Sequence, residues 1–250
     1  MKNILVITNN DNIWLKPAWS KLIELKPKFL NFNFVTLPEK KIYNKNPIFY
    51  YLSNFGLKNV ILLSIFSIIR LFKNFRKNKI TFNKTTTLNL KFLDVKLLKD
   101  KIKEFNPDLI FITCSYIIPK ELIEFDSNLP WFNKHASILP SSKGVFPYIY
   151  NQINENKQGL SFHYVTESID SGDIVLIKEI KDSGSMVDFY IEIYDNFDQH
   201  FVEFYKNFEK NIKYKQSPGG SYFSYPNKID MKKFYKKGGK VIKFKDIFNA

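Results

Sequence analysis

Continuous runs of apolar residues recur along the first half of the chain. Runs of this kind are typical of strands buried on both faces of a parallel sheet. They predict strands at 3–8, 32–37 and 108–113. Amphipathic segments predict helices at 17–25 and 94–105, the second with Asp94 as its N-cap. The alternation of strands and helices predicts that the strands pair in parallel with right-handed crossovers. The predicted fold is therefore α/β, with a doubly wound, mostly parallel sheet flanked by helices.

The second half of the chain has a different pattern. Strict alternation of apolar and polar residues predicts a strand at 159–166, with an antiparallel partner at 173–180. A long apolar stripe at helical spacing predicts one helix over 186–208. These elements complete a predicted domain at 1–210. The remainder, 211–250, predicts a short C-terminal β-hairpin extension, with strands near 221–224 and 241–244.

The segment 46–78 predicts two helices joined near Gly56. Its most apolar part, 60–69, is too short to cross a bilayer, which needs about 20 apolar residues. Packing on the core or a dimer contact is the favoured interpretation, and a helix lying on a membrane surface is the alternative. Residues 85–87 predict strand or loop.

The formal net charge of +14 predicts attraction to polyanions. The polyanion could be nucleic acid, an anionic membrane, a nucleotide diphosphate or a polyglutamylated cofactor. The alternative explanation of the charge is a surface rich in lysine without such a partner. The lysine-rich runs at 70–79 and 232–245 lack the signature of a nucleic-acid module, so no nucleic-acid partner is expected. Cys114 is the single cysteine, which excludes an internal disulfide. With no signal-peptide pattern at the N-terminus, a cytoplasmic protein is expected.

Three histidines narrow the choice of an acid or base that works near neutral pH. His200 is predicted to lie on the surface and His163 to be structural. His135 lies near the end of a predicted strand at 131–136, and alternation places it on the same side as Asn133. This point is the carboxyl end of a sheet, where α/β folds bind ligands. Asp170 lies in a turn that could bring its carboxylate to His135.

The spacing of these residues extends over three blocks. The segment Asn-Lys-His-Ala-Ser-Ile-Leu-Pro at 133–140, followed by Lys-Gly at 143–144, resembles the signature of the 10-formyltetrahydrofolate-dependent formyltransferases. The blocks at 159–165 and 170–173 follow in the family's order, and 107–120 resembles its strand and cofactor loop. The resemblance is strong over about 106–180 and weak elsewhere. It implies a Rossmann-like formyltransferase core similar to that of methionyl-tRNA formyltransferases.

The resemblance also implies roles for individual residues. Asn133 would donate its amide to the oxyanion on the formyl carbonyl, and His135 would handle the proton of the attacking amine. Asp170 would orient and polarise His135. The co-substrate would be 10-formyltetrahydrofolate, without a metal. Residues implied to bind the folate are Cys114, Ser115, Ile117, Ile118, Pro119 and Gly172.

Three branches of the family differ in the amine that they formylate. The methionyl-tRNA branch carries a C-terminal barrel, for which 211–250 is expected to be too short. The glycinamide ribonucleotide branch has a Gly-rich loop after the first strand, and 9–12 here has no glycine. The C-terminal segment 220–226 resembles the third branch, which formylates dTDP- or GDP-linked aminodideoxysugars for surface glycans such as O-antigen.

A nucleotide-sugar acceptor is therefore expected. The chain is also expected to form a homodimer and not to insert into a membrane. Residues that could contact the acceptor are Asn10, Trp14, Lys16, Lys143 and Tyr222. The alternatives are a methionyl-tRNA or other small-amine formyltransferase and, from another class, an inactive or nucleic-acid-binding module. Salt-dependent binding of nucleic acid would favour the last of these.

Overall fold

The computed structural model describes residues 2–25, 29–39, 46–82, 86–181 and 183–250, without the side chains of 76–82 and 86. Seven strands form one sheet in the order β3-β2-β1-β4-β5-β7-β8. The strands from β3 to β5 run parallel, and β7 is antiparallel to both β5 and β8. The strand order reverses between β1 and β4. The predicted doubly wound, mostly parallel sheet is confirmed.

The strands of the described chain are β1 Lys2–Asn9, β2 Leu30–Leu37, β3 Thr86–Asn89, β4 Leu109–Thr113, β5 Trp131–His135, β6 Lys143–Gly144, β7 Gly159–Tyr164, β8 Ile174–Glu179 and β9 Tyr222–Phe223. The helices are α1 Leu15–Glu24, α2 Pro47–Phe55, α3 Leu57–Phe82, α4 Val95–Phe105, α5 Lys120–Ile123, α6 Pro147–Ile153, α7 Met186–Asp195, α8 Phe197–Glu209 and α9 Lys228–Lys236, followed by a 3₁₀ helix at Phe244–Asn249. Of the predicted 85–87 segment, 86–87 is strand, and residue 85 lies outside the described residues.

Alternation along the strands divides the core into two halves, one on each face of the sheet. Phe111, Phe132 and Phe162 point to the face covered by α1, α7 and α8. Their neighbours Ile112 and Trp131 point to the opposite face, which α4 and α5 cover. Successive side chains of a strand point to opposite faces. Consecutive residues at the end of β5 therefore point alternately towards the two halves of the core.

The helix predicted over 186–208 is two helices in the structure. Asn196 leaves the helical conformation at φ −107° and ψ 14°, and it lies between α7 and α8. Its side-chain amide donates to the backbone carbonyl of Glu192 at 3.2 Å. Asparagine side chains compete in this way with helical hydrogen bonding, and the backbone amide of Asn196 bonds the Tyr194 carbonyl instead of continuing the helical pattern. The apolar stripe continues across it, because Phe197 and Phe201 are both buried.

Helix α3 begins directly after Gly56, where the chain takes φ +83°. Phe66 is buried on the side of α3 that packs against α1. The opposite side is exposed and apolar, so 60–69 packs on the core along one face only. Within the described residues, no helix combines the length and the apolar character needed to span a bilayer.

The C-terminal segment differs in part from the predicted hairpin. Its first predicted strand is present as β9, which pairs in parallel with β6. The second is corrected, because no strand forms at 241–244. Instead, the carbonyls of Lys240 and Val241 accept from the amides of Met186 and Val187 at 2.8 and 3.0 Å. The first backbone amides of a helix have no partner within the helix, and here these two carbonyls accept from them. The carbonyls are therefore not available to pair with another strand.

Candidate functional site

A cavity of about 720 Å³ opens at the carboxyl ends of the parallel strands. It lies beside the point where the strand order reverses, since Asn9 at the end of β1 and Cys114 after β4 both line it. This is where doubly wound sheets bind ligands, and the volume is that of a small-molecule site. Asn133, His135 and Asp170 all line this cavity, so the structure brings the three predicted residues together.

Asn133 is the middle residue of β5, opposite Ile112 of β4 and His163 of β7. Its side chain is half-buried. Among the described residues, none forms a hydrogen bond with the Asn133 amide, which borders the cavity. Both amide hydrogens are therefore free to donate to a ligand oxygen.

His135 is 6% exposed, and its ring is held from one side by a backbone carbonyl. Nε2 lies 2.9 Å from the oxygen of Ser142. A carbonyl oxygen only accepts, so Nε2 carries the hydrogen and Nδ1 is the basic nitrogen of the neutral ring. Nδ1 lies 3.4 Å from Oδ2 of Asp170. Burial lowers the pKa of His135 below its ordinary value, although Asp170 and the Ser142 carbonyl act to raise it.

Asp170 occupies the left-handed region at φ +48°, and it lines the cavity. Its Oδ2 accepts a hydrogen bond from the backbone amide of Gly144 at 2.9 Å. Burial would raise the pKa of Asp170, but His163, His135 and the Gly144 amide outweigh it and lower the pKa to about 2. The carboxylate is therefore ionised at neutral pH. A proton on Nδ1 of His135 would meet this charge directly.

His163 also belongs to the site, although the sequence indicated a structural role. Its Nε2 lies 3.5 Å from Oδ1 of Asp170, and its Nδ1 donates to the carbonyl of Tyr164 at 2.8 Å. Asp170 therefore lies between two imidazoles. The sequence contained a signal for this position, because alternation in β7 and antiparallel pairing place His163 opposite Asn133. His200, predicted to be a surface residue, is half-buried, and burial lowers its pKa to about 4.

The pairing of β6 with β9 closes one side of the cavity. Gly144 has φ +93°, and a Cβ atom there would lie 2.2 Å from the carbonyl oxygen of Phe223. Glycine therefore allows the two backbones to approach. The ring of Phe223 stacks on Tyr150 with centroids 4.1 Å apart. As a result Tyr222, Ser224 and Tyr225 line the same cavity as His135.

Four of the residues implied to bind folate line the cavity: Cys114, Ser115, Ile117 and Ile118. Pro119 and Gly172 do not line it, and their part in folate binding stays a prediction. Pro119 precedes the first turn of α5. Gly172 is buried against Tyr164, since a Cβ atom there would lie 2.0 Å from the Tyr164 carbonyl oxygen. Burial raises the pKa of Cys114 to about 11, so its thiol is not an ionised nucleophile.

Of the predicted acceptor contacts, Tyr222 lines the cavity, and Asn10, Trp14, Lys16 and Lys143 do not. Asn10 is exposed, and its neighbour Asn9 lines the cavity instead. The Trp14 ring stacks on Phe66, and Leu15 faces the cavity in its place. Burial lowers the pKa of Lys16, which lies on the first turn of α1. Lys143 donates to Oγ of Ser171 at 2.7 Å.

The cavity thus has two walls of different origin. We call the first the strand-end wall, formed by Asn133, His135, Asp170 and the loop 114–118. The second is the tyrosine wall, formed by Lys134, Tyr190, Tyr194, Tyr222 and Tyr225. The sequence indicated only Tyr222 of this second wall. Tyr190, Tyr194 and Tyr225 come from segments distant in sequence, and Lys134 points to the opposite face of β5 from Asn133 and His135. The described residues contain no group of three or more His, Cys, Asp or Glu that could hold a metal ion.

The central part of the chain matches a known family. Residues 77–183 match the family model described as formyl transferase. A methionyl-tRNA formyltransferase of Clostridioides difficile (strain 630) is 40% identical over 83 residues, which are 32% of this chain and 26% of that protein. A methionyl-tRNA formyltransferase of Mycoplasmopsis pulmonis (strain UAB CTIP) is 31% identical over 124 residues, which are 47% of this chain and 38% of that protein. The chain therefore spans well under half the length of these curated relatives.

Solved structures share the fold over most of the chain. A 4-N formyltransferase from Francisella tularensis has a TM-score of 0.57 at 19% identity, covering 89% of this chain and 76% of that one. A sugar N-formyltransferase from Shewanella sp. FDAARGOS_354 has a TM-score of 0.58 at 18% identity, covering 95% and 87%. A methionyl-tRNA formyltransferase from Clostridium thermocellum has a TM-score of 0.56 at 17% identity, covering 91% and 74%. The matched residues 77–183 include Asn133, His135 and Asp170, and the chain shares its fold with solved formyltransferases.

Proposed function

We propose that this chain is an enzyme that transfers a formyl group from 10-formyltetrahydrofolate to an amine. One observation carries the proposal: the amide of Asn133, the imidazole of His135 and the carboxylate of Asp170 meet at one open cavity. An amide donor, a basic nitrogen and an ionised acid at one point are the groups that acyl transfer to an amine requires.

The strand-end wall fits a bound folate. Together with the neighbouring residues 165–169, it presents apolar side chains to the cavity, with Ile117 62% exposed and Ile169 36% exposed. A planar heterocycle needs such apolar contacts together with a few polar groups that fix its orientation. Bound folate would supply the formyl group, and residues 114–118 and 165–169 would hold it.

The remaining chemistry belongs to the side chains of the chain. The Asn133 amide donates to an oxygen that becomes negatively charged, a contact that strengthens as charge develops. Nδ1 of His135 takes the proton from the attacking amine, because Nε2 is already committed to the Ser142 carbonyl. The imidazolium, stabilised by the ionised Asp170, then returns this proton to the leaving nitrogen of the donor as the bond between that nitrogen and the formyl carbon breaks. The Gly144 amide holds the Asp170 carboxylate in place through Oδ2. Both side chains are more than nine-tenths buried, which limits the contact of this pair with water.

The acceptor that we propose is a dTDP- or GDP-linked aminodideoxysugar. The support is the tyrosine wall, since Tyr222, Ser224 and Tyr225 extend the cavity beyond His135. Tyrosines supply flat faces and hydroxyl groups, which suit a sugar and a base. The solved structures from Francisella and Shewanella that share this fold are named a 4-N formyltransferase and a sugar N-formyltransferase.

Methionyl-tRNA is the second candidate acceptor, because the curated relatives quoted above are methionyl-tRNA formyltransferases. An amine screen separates the two candidates. The purified chain and 10-formyltetrahydrofolate are offered dTDP- and GDP-linked 4-amino and 3-amino sugars, methionyl-tRNA and glycinamide ribonucleotide. Formylated sugar, identified by mass spectrometry, is the expected product. Turnover with methionyl-tRNA alone would replace the proposed acceptor and leave formyl transfer intact.

We further propose that two copies of the chain pair through α3. Its exposed apolar side chains follow the 4-3-4-3 spacing of a coiled-coil seam at Ile61, Ile65, Ile68, Phe72 and Phe75. Together with Ile48 and Phe49 of α2, they present an area on the order of the ~800 Å² that each partner buries in a standard interface. One helix face can meet its own copy across a two-fold axis, which makes a second copy the occupant.

A further inference from the structure

Lys134 lies between Asn133 and His135 in sequence but points away from both. Alternation in β5 turns it, like Phe132, to the face covered by α7 and α8. It is only 9% exposed, and its Nζ lies 3.9 Å from the centre of the Tyr194 ring. A lysine on this face replaces the apolar side chain that a core position normally holds, which requires an explanation.

The described part of the chain provides no carboxylate and no hydrogen-bond acceptor for the Lys134 ammonium. A buried cation without a countercharge loses hydration that one aromatic ring only partly replaces. Burial accordingly lowers the pKa of Lys134 to about 7. The Lys134 ammonium therefore lacks a countercharge among the described residues of the free protein.

A second buried cation on the same side of the molecule shows the contrast. Arg70 lies over the Trp14 ring, 4.6 Å from its centre, but it is also paired with the carboxylate of Asp195 and bonded to the Ile13 carbonyl. Arg70 therefore has its countercharge within the protein. Lys134 differs in a second respect, because it lines the cavity that Asn133 and His135 border.

We propose that Lys134, with the Tyr194 ring beneath it, is an anion-binding subsite that takes a phosphate group of the acceptor. This inference rests on the proposed function. The folate loop 114–118 packs with the half of the core on the other face of the sheet, whereas Lys134 and Tyr194 belong to the half covered by α7. An anion at Lys134 is therefore on the acceptor side, and the ammonium is a point charge that suits a phosphate oxygen.

The test compares Lys134→Met with Lys157→Met, which removes the same charge from an exposed lysine paired with Glu179. Binding of pyrophosphate, dTDP and tetrahydrofolate is measured by isothermal titration calorimetry. We expect Lys134→Met to weaken pyrophosphate and dTDP binding by about 10-fold or more, the value of one charged hydrogen bond. Tetrahydrofolate binding, and all binding to Lys157→Met, should stay within about twofold of the unsubstituted chain.

Unchanged pyrophosphate and dTDP binding in Lys134→Met would overturn the inference. Weaker tetrahydrofolate binding alone would also overturn it, because the anion would then belong to the folate's glutamate. Failure of the proposed function has a different appearance, namely no formylated sugar from the unsubstituted chain. If that chain formylates a dTDP-amino sugar and Lys134→Met has the same KM, only the subsite is wrong.

A labelling measurement on the unsubstituted chain provides the answer if Lys134→Met does not fold. Limiting acetic anhydride modifies neutral lysine amines, and the modified positions are mapped by mass spectrometry. A lysine with a pKa of about 7 should be labelled early. Pyrophosphate should suppress labelling of Lys134 and leave Lys157 unaffected. Equal labelling of Lys134 with and without pyrophosphate would contradict the subsite.

Discussion

The strand-end wall and the tyrosine wall face the same cavity but are built in different ways. Asn133, His135 and Asp170 lie within 38 residues of sequence, and strand alternation and one hairpin bring them together. Tyr194 and Tyr225 reach the tyrosine wall from α7 and from the segment after β9. The first wall follows from local rules, whereas the second depends on how distant helices pack. Chemistry common to a family can remain on the first wall while the acceptor changes on the second.

The largest effect is expected at the strand-end wall. His135→Ala should reduce kcat by about 100-fold or more, because the general base is lost. The matched control is His200→Ala, which removes a half-buried histidine that does not line the cavity. Steady-state rates are measured for both variants with an amine acceptor that the unsubstituted chain formylates. An unchanged rate in His135→Ala would exclude the proposed mechanism.

Asp170→Asn is expected to lower kcat/KM by about 10- to 100-fold and to change its pH dependence. Activity requires neutral His135, so the rate falls as the pH drops through the pKa of this histidine. Burial already places that pKa below its ordinary value, and Asp170 raises it. Removing the carboxylate should move the acidic limb of the pH–rate profile to still lower pH. A limb that moves to higher pH would show that Asp170 does not stabilise the imidazolium.

Gly144→Ala tests the link between the two walls. The substitution places a Cβ atom 2.2 Å from the Phe223 carbonyl oxygen and strains a backbone at φ +93°. It should lower the free energy of unfolding by about 2–4 kcal/mol and raise the acceptor KM. Gly56→Ala is the control, because its φ of +83° is also strained but nothing lies within 4 Å. Equal destabilisation of the two variants would mean that the added Cβ atom at position 144 has no effect on the pairing of β6 with β9.

Phe72→Lys should convert the dimer to a monomer without loss of activity per chain, because α3 lies outside the cavity lining. Phe92→Lys is the control, since Phe92 is 63% exposed and lies apart from α3. Sedimentation velocity measures both. A chain that is monomeric without any substitution, or a Phe72→Lys dimer, would refute pairing through this helix.

Tyr225→Phe should have the smallest effect, raising the acceptor KM about threefold through loss of one neutral hydrogen bond. The KM for 10-formyltetrahydrofolate should not change, because Tyr225 belongs to the tyrosine wall. A larger change in the folate KM than in the acceptor KM would reverse the assignment of the two walls. Initial rates at varied concentrations of each substrate separate these outcomes.

The sequence predictions were accurate for features set by neighbouring residues and less accurate where distant segments pack together. Periodicity located β1, β4 and β7, and alternation placed Asn133 beside His135, because these features depend on neighbours in sequence. The break at Asn196 was missed, since an apolar stripe continues across a capping side chain. The strand at 241–244 was wrong because its backbone caps α7 instead. Trp14 was named as a possible acceptor contact within the segment 9–16, and its ring packs against Phe66.

Substitution of Asn133 by Asp tests the central claim most directly. The two side chains have nearly the same shape, but Asp cannot donate from an amide to a developing negative charge. We predict that tetrahydrofolate still binds Asn133→Asp within about twofold, and that single-turnover formyl transfer slows by about 100- to 1,000-fold. Formyl transfer at the unsubstituted rate would contradict the account, since the amide would then have no part in the reaction.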